Sequence, residues 1–260
     1  MRKSVLLFAA LLITPLVCLA EAQAEGEVAG APLDWQHWQA GNEVKDVASL
    51  QRGARNFFNY CAGCHALKYL RYSRLAADLK ISTEQLKTYL LPEGATPADY
   101  VKASMSPEDA VTWFAALPPD LSLIARSRGP DRNFQFLKTF YTDASRPTRS
   151  NNLLVSNAAM PAVLSDLEGV KEAVFRNVEV TVDGKATTEK RFDHFVTVVP
   201  GQMTAAQFDV FVRDTVNFLD YAGEPAQAAR RSLGVWVVLF LLAFTWIAWL
   251  LKKEYWKDIH

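Results

Sequence analysis

The chain has 260 residues, with 28 Lys and Arg balanced by 28 Asp and Glu, a length that accommodates one domain of ordinary size plus membrane segments. Half of the residues are hydrophobic, a figure inflated by apolar stretches at the two ends. Between those ends, residues 25–229 carry 21 Lys and Arg against 25 Asp and Glu, a mildly acidic balance that argues against a nucleic-acid binder.

The N-terminus has the pattern of a secretory signal. Arg2 and Lys3 supply the positive start, residues 5–20 are apolar, and Ala22-Gln23-Ala24 is a small-x-small cleavage site. Residues 1–24 are therefore expected to be removed, leaving Glu25 first. Pro15 interrupts the apolar run, which argues against an uncleaved anchor. Cys18 lies between bulky Val17 and apolar Leu19, which argues against a lipoprotein site. Residues 31–38 form a loop or short helix, and His37 there is a surface or packing histidine. The run 49–60 (SLQRGARNFFNY) predicts a helix, with Ser49 as N-cap and Leu50, Ala54, Phe57 and Phe58 on one apolar face.

That helix delivers the chain to Cys61-Ala62-Gly63-Cys64-His65, the C-x-x-C-H pattern of covalent c-type haem attachment. Two thiols at this spacing can each add across one haem vinyl group, and the adjacent histidine reaches the iron as proximal ligand. The rival is a redox C-x-x-C, which is expected at a strand-to-helix junction in a βαβ pattern. Helix-like stretches on both sides argue against it. Export fits the haem, because bacteria attach haem to cysteine outside the cytoplasm.

Beyond the motif, residues 68–79 are rich in Tyr, Arg and Leu and look helical; Arg71 and Arg74 face either solvent or haem propionates. A short helix starts at Ser82-Thr83-Glu84. Residues 91–107 are punctuated by Pro92, Gly94, Pro97 and Pro107 and predict a loop, and 109–117 a brief helix ending before Pro118-Pro119. Residues 117–124 predict a turn entering a helix capped by Asp120 or Ser122. Aromatic residues in 133–141 recur at helical spacing, as in a core helix. Residues 151–164 show little periodicity. Residues 175–199 are the one convincing β stretch, with Asp183-Gly184 as hairpin turn. Residues 204–222 predict a strong helix: Thr204 and Gln207 form a capping box, and Phe208, Phe211, Val212, Thr215, Phe218 and Leu219 make its apolar stripe. Glu224-Pro225 ends it.

Residues 233–251 contain no charge. At 1.5 Å per residue they extend about 28 Å, close to the hydrocarbon thickness of a bilayer. Trp236, Trp246, Trp249, Tyr255 and Trp256 supply interfacial anchors, with Arg230 and Arg231 on one side and Lys252, Lys253 and Lys257 on the other. The signal sequence sets the orientation, with the haem domain outside and the tail in the cytoplasm.

An iron that carries electrons without binding substrate needs a sixth ligand. Met105, Met160 and Met203, and His37, His194 and His260, are the candidates. His260 falls on the wrong side of the membrane, and Met203 is better explained by packing beside a helix cap. Met160, before Pro161 on a loosely constrained loop, is favoured over Met105, which stays open. A His/Met pair raises the reduction potential and leaves no open coordination site.

Several stretches together resemble the cytochrome c1 family, the haem subunit of the ubiquinol–cytochrome c reductase (cytochrome bc1) complex. They are SLQRGARNFFNYCAGCH (49–65) with the following YLRYSRLAADL, PPDLSLIARSR (118–128), AMP (159–161), RDTVNFLDYAGEP (213–225) and the C-terminal anchor. The resemblance covers nearly the whole mature chain, with departures at 113–117 and in the segment 150–161. It implies that Cys61 and Cys64 hold one heme c, that His65 is the proximal and Met160 the distal ligand, that Arg126 meets a haem propionate, and that Pro118 and the helix it starts line the haem crevice. It implies electron relay: an electron arrives from a Rieske iron–sulfur protein after quinol oxidation at cytochrome b, and leaves to a soluble cytochrome c, in a dimeric complex embedded in membrane lipid. Glu168, Glu172, Glu179 and Asp183 are candidates for steering a basic partner. A stand-alone anchored shuttle or oxidase subunit, a haem enzyme or gas sensor, and a thioredoxin-like oxidoreductase are the rival functions.

The expected architecture is mainly α: a class I-type cytochrome c domain with a small β-hairpin insertion, plus one C-terminal transmembrane helix. Its divisions are a signal peptide at 1–24, a periplasmic domain at 25–229, an anchor at 230–251 and a cytoplasmic tail at 252–260, on the bacterial inner membrane.

Overall fold

The helix expected before the cysteine motif forms as α1 (Val47–Tyr60) and packs along the strong helix near the end of the domain, numbered α8 (Ala205–Gly223). This computed structural model describes residues 34–182 and 185–258; the signal sequence, the Asp183-Gly184 turn and His260 lie outside the described residues. Leu50, Ala54 and Phe57 of α1 are buried against Phe218, Leu219 and Ala222 of α8. Phe57 and Phe218 have no exposed surface, and full burial of such a ring stabilises by roughly 1.5–3 kcal/mol. Gly53 sits at the crossing: a Cβ there would lie 2.0 Å from the Asp214 carbonyl oxygen, so only glycine lets the backbones approach this closely.

The cap of α1 differs from expectation. Asp46 caps the helix by accepting from the Ser49 backbone N–H at 3.1 Å. Ser49 is buried instead, and its hydroxyl donates to Asp214 at 2.6 Å. Asp214 also takes a forked contact from Arg52, at 2.6 and 3.1 Å. A buried carboxylate bound by two donor side chains holds Ser49 inward, and the cap lies three residues earlier, at Asp46, nearly one turn. At α8 the expected Thr204–Gln207 capping box is present, and every residue of the expected apolar stripe is buried.

Between them run shorter elements. The stretch 68–79 is not one helix: β1 (Leu67–Arg71) precedes α2 (Tyr72–Asp78). Arg71 stacks over Tyr100, 4.5 Å from its ring centre, and Arg74 pairs with Asp78 at 2.5 Å. Next come α3 (Thr83–Tyr89), with a Ser82–Gln85 capping box, and β2 (Tyr100–Val101), a short strand in the expected loop. The sequence then forms α4 (Pro107–Phe114), α5 (Ile124–Arg128) and α6 (Pro130–Lys138). Asp120 and Ser122 do not cap α5. Asp120 accepts from the Lys68 and Ser122 backbone N–H groups, and Ser122 accepts from Tyr69 N–H. They tether the proline turn to β1.

After α6 come β3 (Phe140–Thr142), β4 (Ser150–Asn152), α7 (Ser165–Glu168), β5 (Gly169–Val182) and β6 (Lys185–Pro200). The strands pair antiparallel as three two-stranded sheets, β1–β2, β3–β4 and β5–β6. The β5–β6 ribbon is longer than the sequence alone suggests: it pairs from Gly169, at φ 104°, opposite Pro200, six residues before the expected start at Phe175. A second apolar cluster joins Phe134 of α6 to Leu164, Leu167 and the Phe208, Phe211, Val212 and Val216 side of α8. Last is α9 (Gln227–Tyr255), the one helix among the described residues long and apolar enough to cross a membrane, with none of its apolar window buried.

Candidate functional site

The C-terminal end of α1 shapes the cysteine motif. Cys61 and Ala62 N–H both donate to the Phe57 carbonyl, at 2.8 and 2.9 Å, and Cys64 and His65 N–H donate to the Cys61 carbonyl, at 3.0 and 2.8 Å. This tight turn puts Cys61, Cys64 and His65 on the wall of one cavity of about 310 Å³, within the range of cofactor sites, about 300–1,000 Å³. The segment after the motif is β1 rather than a helix. A helix still precedes it, so the strand-to-helix junction of a redox dithiol is missing.

Ile124 and Arg128 of α5 line part of the rest of the cavity, and most of the remainder comes from four places. Phe114, Leu117, Pro118 and Pro119 form the proline-turn side. Phe136 and Leu137 of α6 and Thr215 and Leu219 of α8 form the base. Leu154, Val155, Ala158, Ala159 and Met160 come from the segment after β4. Met160 and His65 therefore line the same cavity although 95 positions separate them in the chain. Met105 is not among the lining residues; its N–H donates to the Gly63 carbonyl at 2.9 Å. Met203 packs into the second apolar cluster, and His37 is exposed beside Asp34. His194 lies on β6, hydrogen-bonded to Asp193.

One hydrogen bond fixes the chemistry of His65. Its Nδ1 lies 2.7 Å from the Pro119 carbonyl oxygen. A carbonyl only accepts, so Nδ1 carries the proton and the Nε2 lone pair is left for a metal, the outer-sphere arrangement usual for ligating histidines. Burial lowers the imidazole pKa, partly opposed by the Pro119 carbonyl, which favours the neutral form that ligates. Burial, helped by the neighbouring Cys64, pushes the Cys61 thiol up to about 12. A reactive redox dithiol needs the opposite shift, whereas a thioether has no proton to lose.

The site fits a c-type haem on its own terms. The donor set is one neutral imidazole and one thioether, with two thiols at attachment spacing, in a largely apolar chamber. Asn133 Nδ2 is buried on the cavity wall with no hydrogen-bond partner among the described residues, a donor left for an acceptor inside the chamber. Pro118 lines the cavity, and the helix after it starts only at Ile124. Arg126 departs from expectation: it is not among the lining residues and is ion-paired with Glu224. Arg128 and Arg132 line the cavity instead. Arg126 and Arg128 are two positions apart on α5 and so face different ways; a helical-wheel reading was the signal that separates them. Glu168 is also withdrawn from any steering role. It is largely buried and paired with Lys171, whereas Glu172 and Glu179 are exposed.

Residues 35–259 match the family model for the Cytochrome C1 family. The chain is 42% identical to cytochrome c1 of Allochromatium vinosum, over the full length of both. It is 37% identical to a Nitrosomonas europaea protein named ammonia monooxygenase gamma subunit, also over the full length of both. It is 30% identical to cytochrome c1 of Rhodospirillum rubrum, over 92% of each. With a matching family model over most of its length and a full-length relative at 42% identity, and with the cysteine motif and Met160 lining one cavity, the chain belongs to the cytochrome c1 family.

Proposed function

We propose that the protein is the haem-bearing electron-transfer subunit of a cytochrome bc1 complex, with a class I-type cytochrome c domain held in the periplasm by α9. The observation that carries this reading is the pairing of His65, its Nε2 freed by the Pro119 carbonyl, with Met160 in the cavity that Cys61 and Cys64 also line. Cys61 and Cys64 would hold one heme c through thioether bonds, and His65 and Met160 would supply the nitrogen and sulfur ligands of its iron. When bound, the haem supplies a one-electron iron couple. The chain's own residues make that couple serviceable. The imidazole and thioether leave no open coordination site, the apolar walls exclude water, and the fixed ligands keep reorganisation small. Its part in quinol–cytochrome c reduction is electron relay.

The subunit accepts electrons from a Rieske iron–sulfur protein and passes them to a soluble cytochrome c, with cytochrome b beside α9. The basic residues at each end of α9 and its exposed tryptophans suit a single bilayer crossing, with residues 1–24 directing export and 252–260 left in the cytoplasm. The name of the Nitrosomonas relative describes that protein; the ligand pair here favours relay over an oxygenase centre, which needs an open site.

The decisive experiment is gentle detergent purification through this chain. Co-elution of a b-type cytochrome and a Rieske protein, with quinol-dependent reduction of the haem, is the expected result. A haem protein that purifies alone and ignores quinol would make it an anchored shuttle instead.

A further inference from the structure

Met160 sits on an irregular segment, and a thioether is a weak ligand whose bond to iron depends on how firmly its backbone is held. The segment 153–162 has no ladder of its own. Its backbone is tied by the three side chains of β4. The carboxamide oxygen of Asn152 accepts from the N–H groups of Leu154 and Val155, at 2.9 and 3.0 Å, while its Nδ2 donates to the Phe136 carbonyl at 2.8 Å. Phe136 is itself a cavity wall. The carboxamide oxygen of Asn151 accepts from Asn157 N–H at 2.8 Å, and its Nδ2 donates to Asp143 at 2.9 Å. Asn157 adopts the left-handed conformation, φ 63°, a strained position that such a bond helps hold. The Ser150 hydroxyl accepts from Ala162 N–H at 3.2 Å, two residues beyond the methionine. All three side chains belong to buried residues, exposed by 4%, 7% and 2% in chain order.

We infer that Ser150, Asn151 and Asn152 are positioning residues for the distal ligand: they clamp the Met160 strap at both of its ends and fix it to the haem wall at Phe136. The inference rests on the reading of Met160 as the distal ligand. None of the three touches the metal; each acts through backbone N–H groups of the strap. Asn152 matters most, since one carboxamide orders two consecutive N–H groups and anchors them to α6. Loss of that acceptor leaves two part-buried N–H groups without a partner, a state costly enough to reopen the strap.

The test uses the full chain in detergent, with Asn152→Leu, Asn152→Asp and Met160→Ala beside the parent. Covalent haem and helix content are checked first, by haem staining of a denaturing gel and far-ultraviolet circular dichroism. The readouts are the red charge-transfer band of methionine-ligated ferric haem, CO binding to the reduced protein, and the reduction potential. Asn152→Leu is expected to lose the band, to lower the potential, and to raise the CO-reactive fraction by roughly tenfold or more, as loss of a buried acceptor implies. Asn152→Asp keeps the acceptor for Leu154 and Val155 N–H but loses the donor to the Phe136 carbonyl, and is expected to fall between Asn152→Leu and the parent in band and CO response.

If Asn152→Leu keeps the band and rejects CO while Met160→Ala loses the band, Met160 is the ligand but the clamp is not what positions it. If Met160→Ala leaves band, CO response and potential untouched, the ligand reading itself fails. Should Asn152→Leu not accumulate, Ser150→Ala and Asn151→Ala probe the other ties of the strap. Increased CO reactivity in either supports the clamp, and parental behaviour in both overturns it.

Discussion

At the scale of single residues, the cavity divides its charged neighbours sharply. Arg128 lines it, whereas Arg126 is committed to Glu224. A guanidinium near a haem favours the reduced iron, which carries one positive charge less, so removing it lowers the potential. Arg128→Gln is expected to lower the reduction potential by on the order of 60 mV, one tenfold change for a one-electron couple, and Arg126→Gln by much less. Potentiometric titration of the two variants side by side checks this, and an equal or larger shift at Arg126 would return the propionate role to it. A second residue-scale prediction concerns pH. Asp143 accepts from the Ser145 hydroxyl, from Asn151 Nδ2 and from Ser145 N–H, which hold its carboxyl below the ordinary value of 3.8. Its folded-state pKa is thus depressed below the unfolded one. The stability it contributes is complete above the unfolded value and is lost as pH falls through the folded value. The thermal midpoint of Asp143→Asn is expected to lie below the parent at neutral pH and to converge with it below about pH 4, near that ordinary carboxylate value. A constant gap down to pH 2 would show that the carboxylate is not the titrating cause.

At the scale of elements, the α1–α8 pair holds the motif in place. Its packing depends on Gly53, where an added Cβ would meet the Asp214 carbonyl carbon and the Phe218 Cβ, each at 2.7 Å. Backbone atoms cannot step aside as a flexible side chain does, so Gly53→Ala must part the helices. It is expected to cost about 1–3 kcal/mol, the usual cost of overpacking, despite the better helix propensity of alanine. Chemical denaturation of the haem-loaded protein measures it, and a stabilised variant would refute the close crossing. Which parts of this were legible in the sequence follows from the range of the interactions. The apolar stripes of α1 and α8, the capping box at Thr204, the helix start at Ser82 and the C-x-x-C-H turn are local patterns, and they form as expected; that Ser82 makes a full capping box with Gln85 is added by the structure. Ser49 escaped because its choice between capping and burial is made by Asp214, 165 positions away. Asp120 and Ser122 escaped because their partners lie on β1, which the Tyr- and Arg-rich stretch disguises as helix. The β4 clamp had a local sign, three short polar residues in a row that bond readily to nearby backbone, but its meaning needed the cavity. Arg126 is the converse case: a resemblance points to it, whereas α5 turns Arg128 to the cavity and Arg126 to Glu224.

At the scale of the whole molecule, the haem domain and the apolar helix meet at Glu224. Its carboxylate ends α8 and is shared by two arginines. Arg230, in the first turn of α9, makes a forked contact at 2.5 and 3.0 Å, and Arg126 of α5 pairs with the same Oε2 that Arg230 reaches. The arginines, Arg230 foremost, hold the Glu224 carboxyl below its ordinary range. Three helices thus converge on one side chain, and α5 also carries the cavity-lining Ile124 and Arg128. For a relay subunit this junction has a mechanical consequence. It sets how the haem cavity is held relative to α9, and partners that meet the domain must find it at a repeatable position. Each pair is half open to solvent, with Arg126 and Arg230 exposed by 49% and 61% of their side chains, so the contribution to global stability is small, below about 1 kcal/mol for each exposed pair. The effect belongs to local order instead. Glu224→Gln removes the charge while keeping the shape, and both arginines lose their shared partner. The domain is expected to keep its haem, its visible spectrum and nearly its full denaturation midpoint, while limited proteolysis at 223–227 speeds up several-fold. Higher salt should narrow the difference by weakening the parent's ion pairs. If the variant resists protease as well as the parent at low salt, the junction is held by backbone packing alone, and the shared carboxylate is not what fixes the domain above its helix.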